Sequence, residues 1–209
     1  MTASQKTFGA IAVILLILIA DQIIKIWIKT RFTLGEDVQI TGWFHIRFIE
    51  NKGMAMGIEV FGKLFLTIFR IIASGAIVYY ISRLIRNNFR LSYILVISMI
   101  FAGAVGNIID SVFYGVIFSE STPMNVAVLF PPEGGYAGWL HGEVVDMFFF
   151  PLFSFHWPSW LPWIGGSTFE FFRYIFNLSD ASISVGIVTV LLFFRKTLSL
   201  SFEKQEIES

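Results

Sequence analysis

The chain has 209 residues, no cysteine, and a formal net charge of +0 from 15 basic and 15 acidic side chains. Hydrophobic residues make up 56% of it and charged residues only 14%, and its mean hydropathy is +0.72. A charged content this far below the roughly 25% of soluble domains indicates a polytopic membrane protein, and the missing cysteines exclude disulfides and thiol nucleophiles. The balanced charge argues against a nucleic-acid partner. We therefore expect a single membrane-embedded domain over residues 1–209.

Four apolar stretches are candidates for membrane spans. A helix needs about 20 apolar residues to cross a hydrocarbon core of roughly 30 Å. The candidate spans are about 9–28, 64–85, 91–109 and 181–194. Four crossings place both termini on one side, and the basic residues near the termini and at 83–90 assign that side to the cytoplasm. The stretches 30–62 and 111–175 are then extracytoplasmic.

The outer stretches carry their own local signals. Apolar and polar residues alternate through 38–48, broken by glycine, which predicts short strands. Residues 119–142 are rich in Pro, Gly and Ser and predict a loop, and three tryptophans between 157 and 163 suit the headgroup layer, so that part is expected to skim the membrane. The predicted fold class is an all-α membrane protein, a four-transmembrane-helix bundle with a small extracytoplasmic β-rich segment.

Polar residues in or beside the spans are the candidates for function, because a charge at the bilayer centre costs about 2.5–3.5 kcal/mol. Asp21 and Lys25 lie four residues apart on one helix face, where opposite charges pair, and we interpret them as structural support for a site. Asn51 and Gly53 follow the predicted strands. The glycine permits a sharp turn or the close approach of a ligand, although a turn asparagine is the simpler interpretation of Asn51.

The third span ends in small and polar residues. Gly103 and Asn107 are stacked at four-residue spacing, and so are Gly106 and Asp110. Small residues let another helix come close, so the amide and the carboxylate would face that neighbour. Close packing alone accounts for the glycines but not for Asp110.

Two further acids lie at the margins of apolar segments. Asp146 is flanked by hydrophobic residues, a setting that raises the pKa of a carboxyl group, and Asp180 follows Asn177 by three residues in the pattern of a helix cap. An exposed loop acid and a plain cap are the alternatives. The three histidines lack metal-ligand spacing, so we expect no metal and no other cofactor. With Asp110, these acids suggest carboxylate chemistry at a membrane surface.

Five blocks, taken in order, resemble the signature blocks of the lipoprotein signal peptidases, or signal peptidase II. They are DQIIK (21–25), NKGMAMG (51–57), GAVGNIID (103–110), VVD (144–146) and FNLSD (176–180). The resemblance implies a four-helix inner-membrane aspartyl peptidase that removes the signal peptide from diacylglyceryl-modified prolipoproteins, cleaving before the lipidated cysteine. It implies Asp146 and Asp180 as the catalytic pair. The supporting or substrate-binding residues would be Asn51, Gly53, Asn107, Asp110 and Asn177, with Asp21 and Lys25 structural.

The chain departs from that family pattern in three places. Position 111 is Ser where the family usually has arginine, and Arg173 or Lys52 are candidates to replace that guanidinium. Met56 stands where an aromatic residue is common. The intervals between the later blocks are long, so insertions at about 119–142 and 154–171 would form a lid or a partner surface.

Two other classes stay open on the residues alone. The intramembrane acids and Lys25 would suit a small ion or proton-coupled transporter, and a lipid-binding scaffold would use its acids only as helix caps. For the peptidase, two close carboxylates would share one proton, one acting as acid and the other as base. We expect prolipoprotein and membrane lipid as partners, a monomer, and a bacterial inner-membrane location with the site near the outer face.

Overall fold

The computed structural model of the protein describes residues 1–51 and 62–208, with side chains as far as 203. The predicted site residue Gly53 lies outside the described residues. So do Lys52, one of the two candidate substitutes for the family arginine, and Met56.

Within residues 1–51 and 62–208, three helices are long and apolar enough to cross a membrane. They are α1 (Ala3–Arg31), α2 (Lys63–Arg86) and a third rod, Leu91–Ile117, in which α3 (Leu91–Ile109), a π-helical turn (Asp110–Tyr114) and α4 (Gly115–Ile117) follow one another. The α-helix α3 has the bounds predicted for the third span, 91–109, and the helical rod continues beyond it to Ile117. Asp110 does not have to end the rod at water, because it forms an ion pair with Lys25 inside the protein.

The last predicted span departs most from expectation. The helix α5 (Leu178–Phe193) has 16 residues and α6 (Arg195–Glu208) leaves it at an angle of 85°. At 1.5 Å per residue α5 is about 24 Å long, which is short of a bilayer's roughly 30 Å. A count of four crossings therefore holds only if α5 and α6 together form one broken span. The apolar run ends at Phe194 because Arg195 and Lys196 follow it.

The all-α part of the prediction is wrong, since the described chain also forms six strands. The strands are β1 (Asp37–Thr41), β2 (Phe44–Asn51), β3 (Val144–Phe149), β4 (Phe153–His156), β5 (Thr168–Phe171) and β6 (Ile175–Phe176). Short strands in the first outer stretch are as predicted. The second stretch adds strands because a buried segment such as β3 must pair its backbone amides and carbonyls.

The antiparallel sheet β1-β2-β3-β6 brings two distant stretches together. Asp146 on β3 lies opposite Ile49 on β2, and Phe148 lies opposite Phe176 on β6. Asn177 directly follows β6, so the same sheet that holds Asp146 also delivers the start of α5. The strands β4 and β5 form a separate exposed two-stranded sheet, in which aromatic rings of the two strands contact each other.

Most of the buried apolar side chains that the structure describes form two clusters. One joins the end of α1, the end of the third rod and the sheet, and it includes Ile28, Phe48 and Val145. The other holds α1, α2, α3 and α5 together at the opposite end, around Ile94 and Val190. The site described below lies where the helices meet the first cluster.

The predicted loop at 119–142 has no regular element apart from an isolated bridge between Phe118 and Leu129. It folds back on the third rod through backbone bonds such as Gly142 N–H to the Ser111 carbonyl, 2.9 Å. Beneath it the buried Lys29 pairs with Glu50 and donates to the Ser121 hydroxyl, 2.9 Å. The loop is thus attached to α1 and β2 rather than free.

Candidate active site

The site begins with a close contact between α3 and α5. A Cβ atom on Gly103 would overlap the backbone of Ser179, and one on Gly106 would overlap the Ser179 side chain. Only glycine at these positions lets the helices approach so far. Asn107, one residue after Gly106, is thereby brought to the first turn of α5. The predicted close packing at these glycines is confirmed.

The first turn of α5 is a reciprocal cap. The Asn177 side-chain oxygen accepts a hydrogen bond from the Asp180 amide at 2.9 Å, and the Asp180 carboxylate accepts one from the Asn177 amide at 3.5 Å. The capping interpretation is therefore correct as far as it goes. It leaves the Asn177 side-chain amide free to donate elsewhere, so capping does not exhaust the chemistry of this turn.

Two asparagine amides connect Asp146 with Asp180. Asn177 Nδ2 donates to Asp146 Oδ1 at 2.7 Å and to Asn107 Oδ1 at 3.1 Å. Asn107 Nδ2 donates to Asp180 Oδ1 at 2.7 Å. Asn51 Nδ2 approaches the other oxygen of Asp146 at 3.2 Å. Residues far apart along the chain therefore form one hydrogen-bonded cluster.

Asp146 is almost completely buried, with 1% of its surface exposed. Burial raises the pKa of its carboxyl to about 7, and the nearby charge of Asp180 acts in the same direction. The hydrogen bonds from Asn51 and Asn177 lower the pKa and offset part of that rise. The carboxyl therefore exchanges its proton near neutral pH, which suits a group that must act as acid or base.

A buried ion cluster supports these side chains. Lys25 Nζ lies 3.0 Å from Asp21 and 2.8 Å from Asp110, and it donates to Asn107 Oδ1 at 3.0 Å. The predicted pairing of Asp21 with Lys25 is confirmed, and all three charged side chains are inaccessible to solvent. Because Lys25 fixes the carbonyl end of the Asn107 amide, it orients the donor end toward Asp180.

The acids of this cluster also bind backbone amides of the neighbouring elements. Asp21 accepts from the Ser179 amide of α5 at 2.9 Å, and Asp110 accepts from the Val145 amide of β3 at 3.3 Å. Each bond lies one residue away from a candidate catalytic aspartate. The ion cluster thus holds α1, the third rod, β3 and α5 in register.

The structure adds residues that the sequence reasoning missed. Gln22 donates to Asp110 Oδ1 at 3.1 Å and accepts from the Tyr114 hydroxyl, also at 3.1 Å. Arg70, half-buried on α2, interacts electrostatically with the site acids. Its signal was a charge inside a predicted span. Arg173, the other predicted substitute for the family arginine, is exposed between β5 and β6.

Comparison with known proteins identifies the family. A family model described as signal peptidase (SPase) II matches residues 13–196. The lipoprotein signal peptidase of Porphyromonas gingivalis is 50% identical over 190 residues, covering 90% of this chain and 84% of that protein. The lipoprotein signal peptidase of Amoebophilus asiaticus is 32% identical, covering 97% of this chain and 84% of that protein.

Solved structures agree in fold. One described as a bacterial membrane enzyme, determined by the in meso method at 2.3 Å resolution, matches with a TM-score of 0.61 and 26% identity, covering 91% of this chain and 89% of that chain. A second, described in the same way at 1.9 Å resolution, matches with a TM-score of 0.58 and 26% identity, covering 88% of this chain and 90% of that chain. None of these matches supports the transporter alternative. The chain is a bacterial membrane protein and belongs to the signal peptidase II family.

Proposed function

We propose that the protein is an aspartic endopeptidase that removes the signal peptide from diacylglyceryl-modified prolipoproteins, with Asp146 and Asp180 as its catalytic pair. The observation that carries this proposal is the bridge of two amides between the carboxylates, through Asn177 and Asn107. Family membership supports the peptidase activity, and the names of the relatives support the lipoprotein substrate.

The chemistry follows from one proton shared by two acids. Two neighbouring carboxyl groups cannot both ionise cheaply, so one remains protonated while the other serves as a base. The ionised aspartate removes a proton from water as it attacks the scissile carbonyl. The protonated aspartate donates a hydrogen bond to the carbonyl oxygen and then assists the leaving amine. Because the pair titrates as a unit, neither role belongs permanently to one residue.

The supporting side chains keep this pair in place. Asn51, Asn107 and Asn177 contact the two carboxylates directly, and Asp110 acts through Lys25 and the Val145 amide. The sequence pattern also assigned a role to Gly53, which stays a prediction. A rigid set of donors and acceptors stabilises the charge that develops during attack more than it stabilises the bound substrate.

Membrane placement completes the proposal. With α1, α2 and the third rod as spans and the bent pair α5–α6 as a fourth, both termini lie in the cytoplasm and the sheet lies at the outer face of the inner membrane. The diacylglyceryl chains of the substrate stay in the bilayer beside the helices and deliver the scissile bond to the pair. A single chain contains every proposed catalytic group, so we propose a monomer as the active unit.

The test is cleavage of a fluorogenic diacylglyceryl lipopeptide by the purified protein in lipid nanodiscs. Asp146→Asn and Asp180→Asn each preserve size and remove the ionisable group. We expect either change to lower kcat at least about 10³-fold, since each removes one partner of a shared proton. Turnover within tenfold of the unsubstituted protein in either folded variant would rule out the pair. If the protein is instead a lipid-binding scaffold, both substitutions should leave its function largely intact.

A further inference from the structure

One face of α2 carries a polar stripe that the proposed mechanism leaves unused. Its members recur at helical spacing in the part of α2 before Ser82, which is otherwise apolar: Lys63, Thr67, Arg70 and Ser74. Thr67 and Ser74 are buried, so this stripe is turned toward the protein, and the Thr67 hydroxyl lies 3.4 Å from the Leu140 carbonyl oxygen. Arg70, between the two buried members, shares the inward face. It lies seven residues into the span, about 10 Å from the start of the helix.

Arg70 borders a narrow crevice at the edge of the site. The crevice is lined by Arg70 together with Asn51, Ser111 and Val144. Asn51 donates to Asp146, and Val144 lies two residues before it on β3. Ser111 directly follows Asp110 and has only a short side chain, whose hydroxyl donates to the Asn107 carbonyl. Arg70 and Asn51, which donates to Asp146, therefore line the same narrow crevice.

The charge balance of the site calls for a further cation. It contains the carboxylates of Asp21, Asp110, Asp146 and Asp180, but Lys25 is the single cation ion-paired with them among the described residues. One shared proton and Lys25 together still leave excess negative charge in a poorly solvated region. Arg70 is close enough to Asp180, Asp110 and Asp146 for its charge to attract each of these carboxylates.

The other charged groups near Arg70 do not cancel this effect. Lys63 lies 3.9 Å from Glu143 at the mouth of the crevice, so those two charges largely neutralise each other. Asp21 lies behind Lys25 on α1. Arg70 forms no ion pair within the described part of the chain, so its charge acts on the acids through space. A charge held this far inside a span costs free energy, so residues of this kind usually have a function.

We propose that Arg70 is a positioning residue of the peptidase, which stabilises the negative charge of the Asp146–Asp180 pair from α2. This inference rests on the proposed function and adds to it the group that sets the working pH range. A cation at this place favours the ionised form of the pair. Without this cation, the pKa at which the pair loses its first proton rises, so the singly protonated pair forms only at higher pH.

The experiment compares kcat, KM and the pH profile of lipopeptide cleavage in nanodiscs for Arg70→Gln, Arg70→Lys and a matched control. The control is Arg86→Gln, which removes the same charge from the exposed end of the same helix, about 24 Å away. We expect Arg70→Gln to move the acidic limb of the kcat profile upward by about one pH unit, which lowers kcat on that limb by up to about tenfold. KM stays within about twofold, since the effect is on the acids rather than on substrate contacts.

Arg70→Lys keeps a cation and is expected to recover a substantial part of both the rate and the pH profile, while Arg86→Gln matches the unsubstituted protein. An Arg70→Gln enzyme with an unchanged profile overturns the proposal, whether its rate is normal or merely reduced. A lysine variant no better than the glutamine variant overturns it as well. These outcomes are separate from failure of the proposed function, which is read from Asp146→Asn and Asp180→Asn in the same assay.

Discussion

Replacing Asp146 by asparagine is expected to stabilise the protein while abolishing its activity. The carboxyl of Asp146 has a pKa of about 7 in the folded protein because it is buried beside Asp180, whereas an unfolded chain holds an aspartate near 3.9. Below about pH 4 both states are protonated and the burial costs nothing. As pH rises from 4 to 7 the unfolded state loses its proton first, so the folded state becomes progressively less favoured.

The size of the effect follows from that difference. About three pKa units at 1.36 kcal/mol each correspond to an upper value of about 4 kcal/mol, reached above pH 7. Asparagine carries no charge and keeps an oxygen for the Asn177 donor bond. The free energy of unfolding of the variant should therefore exceed that of the unsubstituted protein by little at pH 4 and by most at pH 8. For a chain of this size, a gain of 4 kcal/mol raises the melting temperature by about 10 °C.

Thermal unfolding in detergent micelles at pH 4, 6 and 8, followed by circular dichroism, measures this dependence. Glu133→Gln is the matched control, because Glu133 lies on an exposed turn and its neutralisation should shift the melting temperature little at any of these pH values. The reasoning is refuted if Asp146→Asn melts at the same temperature as the unsubstituted protein at pH 8, or if its gain is larger at pH 4 than at pH 8.

Three further changes test the scaffold of the site. Lys25→Met leaves the buried carboxylates of Asp21 and Asp110 without their cation, so chemical denaturation should show a loss of about 3–5 kcal/mol in the free energy of unfolding. Replacing all three charged residues by apolar ones should cost less, because no buried charge is then left without a partner. Gly106→Ala places a methyl group against Ser179, so it should lower the free energy of unfolding by about 1–3 kcal/mol and slow cleavage. Gly75→Ala has open space around it and should leave the free energy of unfolding unchanged or raise it. Equal effects of the two changes would contradict close packing at Gly106. Asn177→Ser keeps a capping oxygen but loses the bridging amide, so lipopeptide cleavage should fall steeply while the melting temperature changes by only a few degrees. Full activity would show that the bridge is dispensable.

The sequence pattern predicted most of the helices because length and hydropathy are local properties. It located α2, the start of the third rod and the strands of the first outer stretch within a few residues, but it began α1 six residues too late. It also predicted the contact made by Gly103 and Gly106, since only another element explains small residues inside an apolar helix. It misjudged the second outer stretch, because strand pairing between β2 and β3 depends on residues nearly a hundred positions apart.

The sequence predicted one part of the candidate site, and the tertiary structure was needed for the rest. The sequence by itself determined which residues are unusual for their surroundings: acids and amides at the margins of apolar segments, each unfavourable there without a partner. Which partners they have was decided only by the tertiary structure. The sheet carries Asp146 to Asn177, the glycines of α3 bring Asn107 to Asp180, and α2 places Arg70 in the crevice that Asn51 also lines. Electrostatic interactions depend on distance in space, and chain order does not encode that distance.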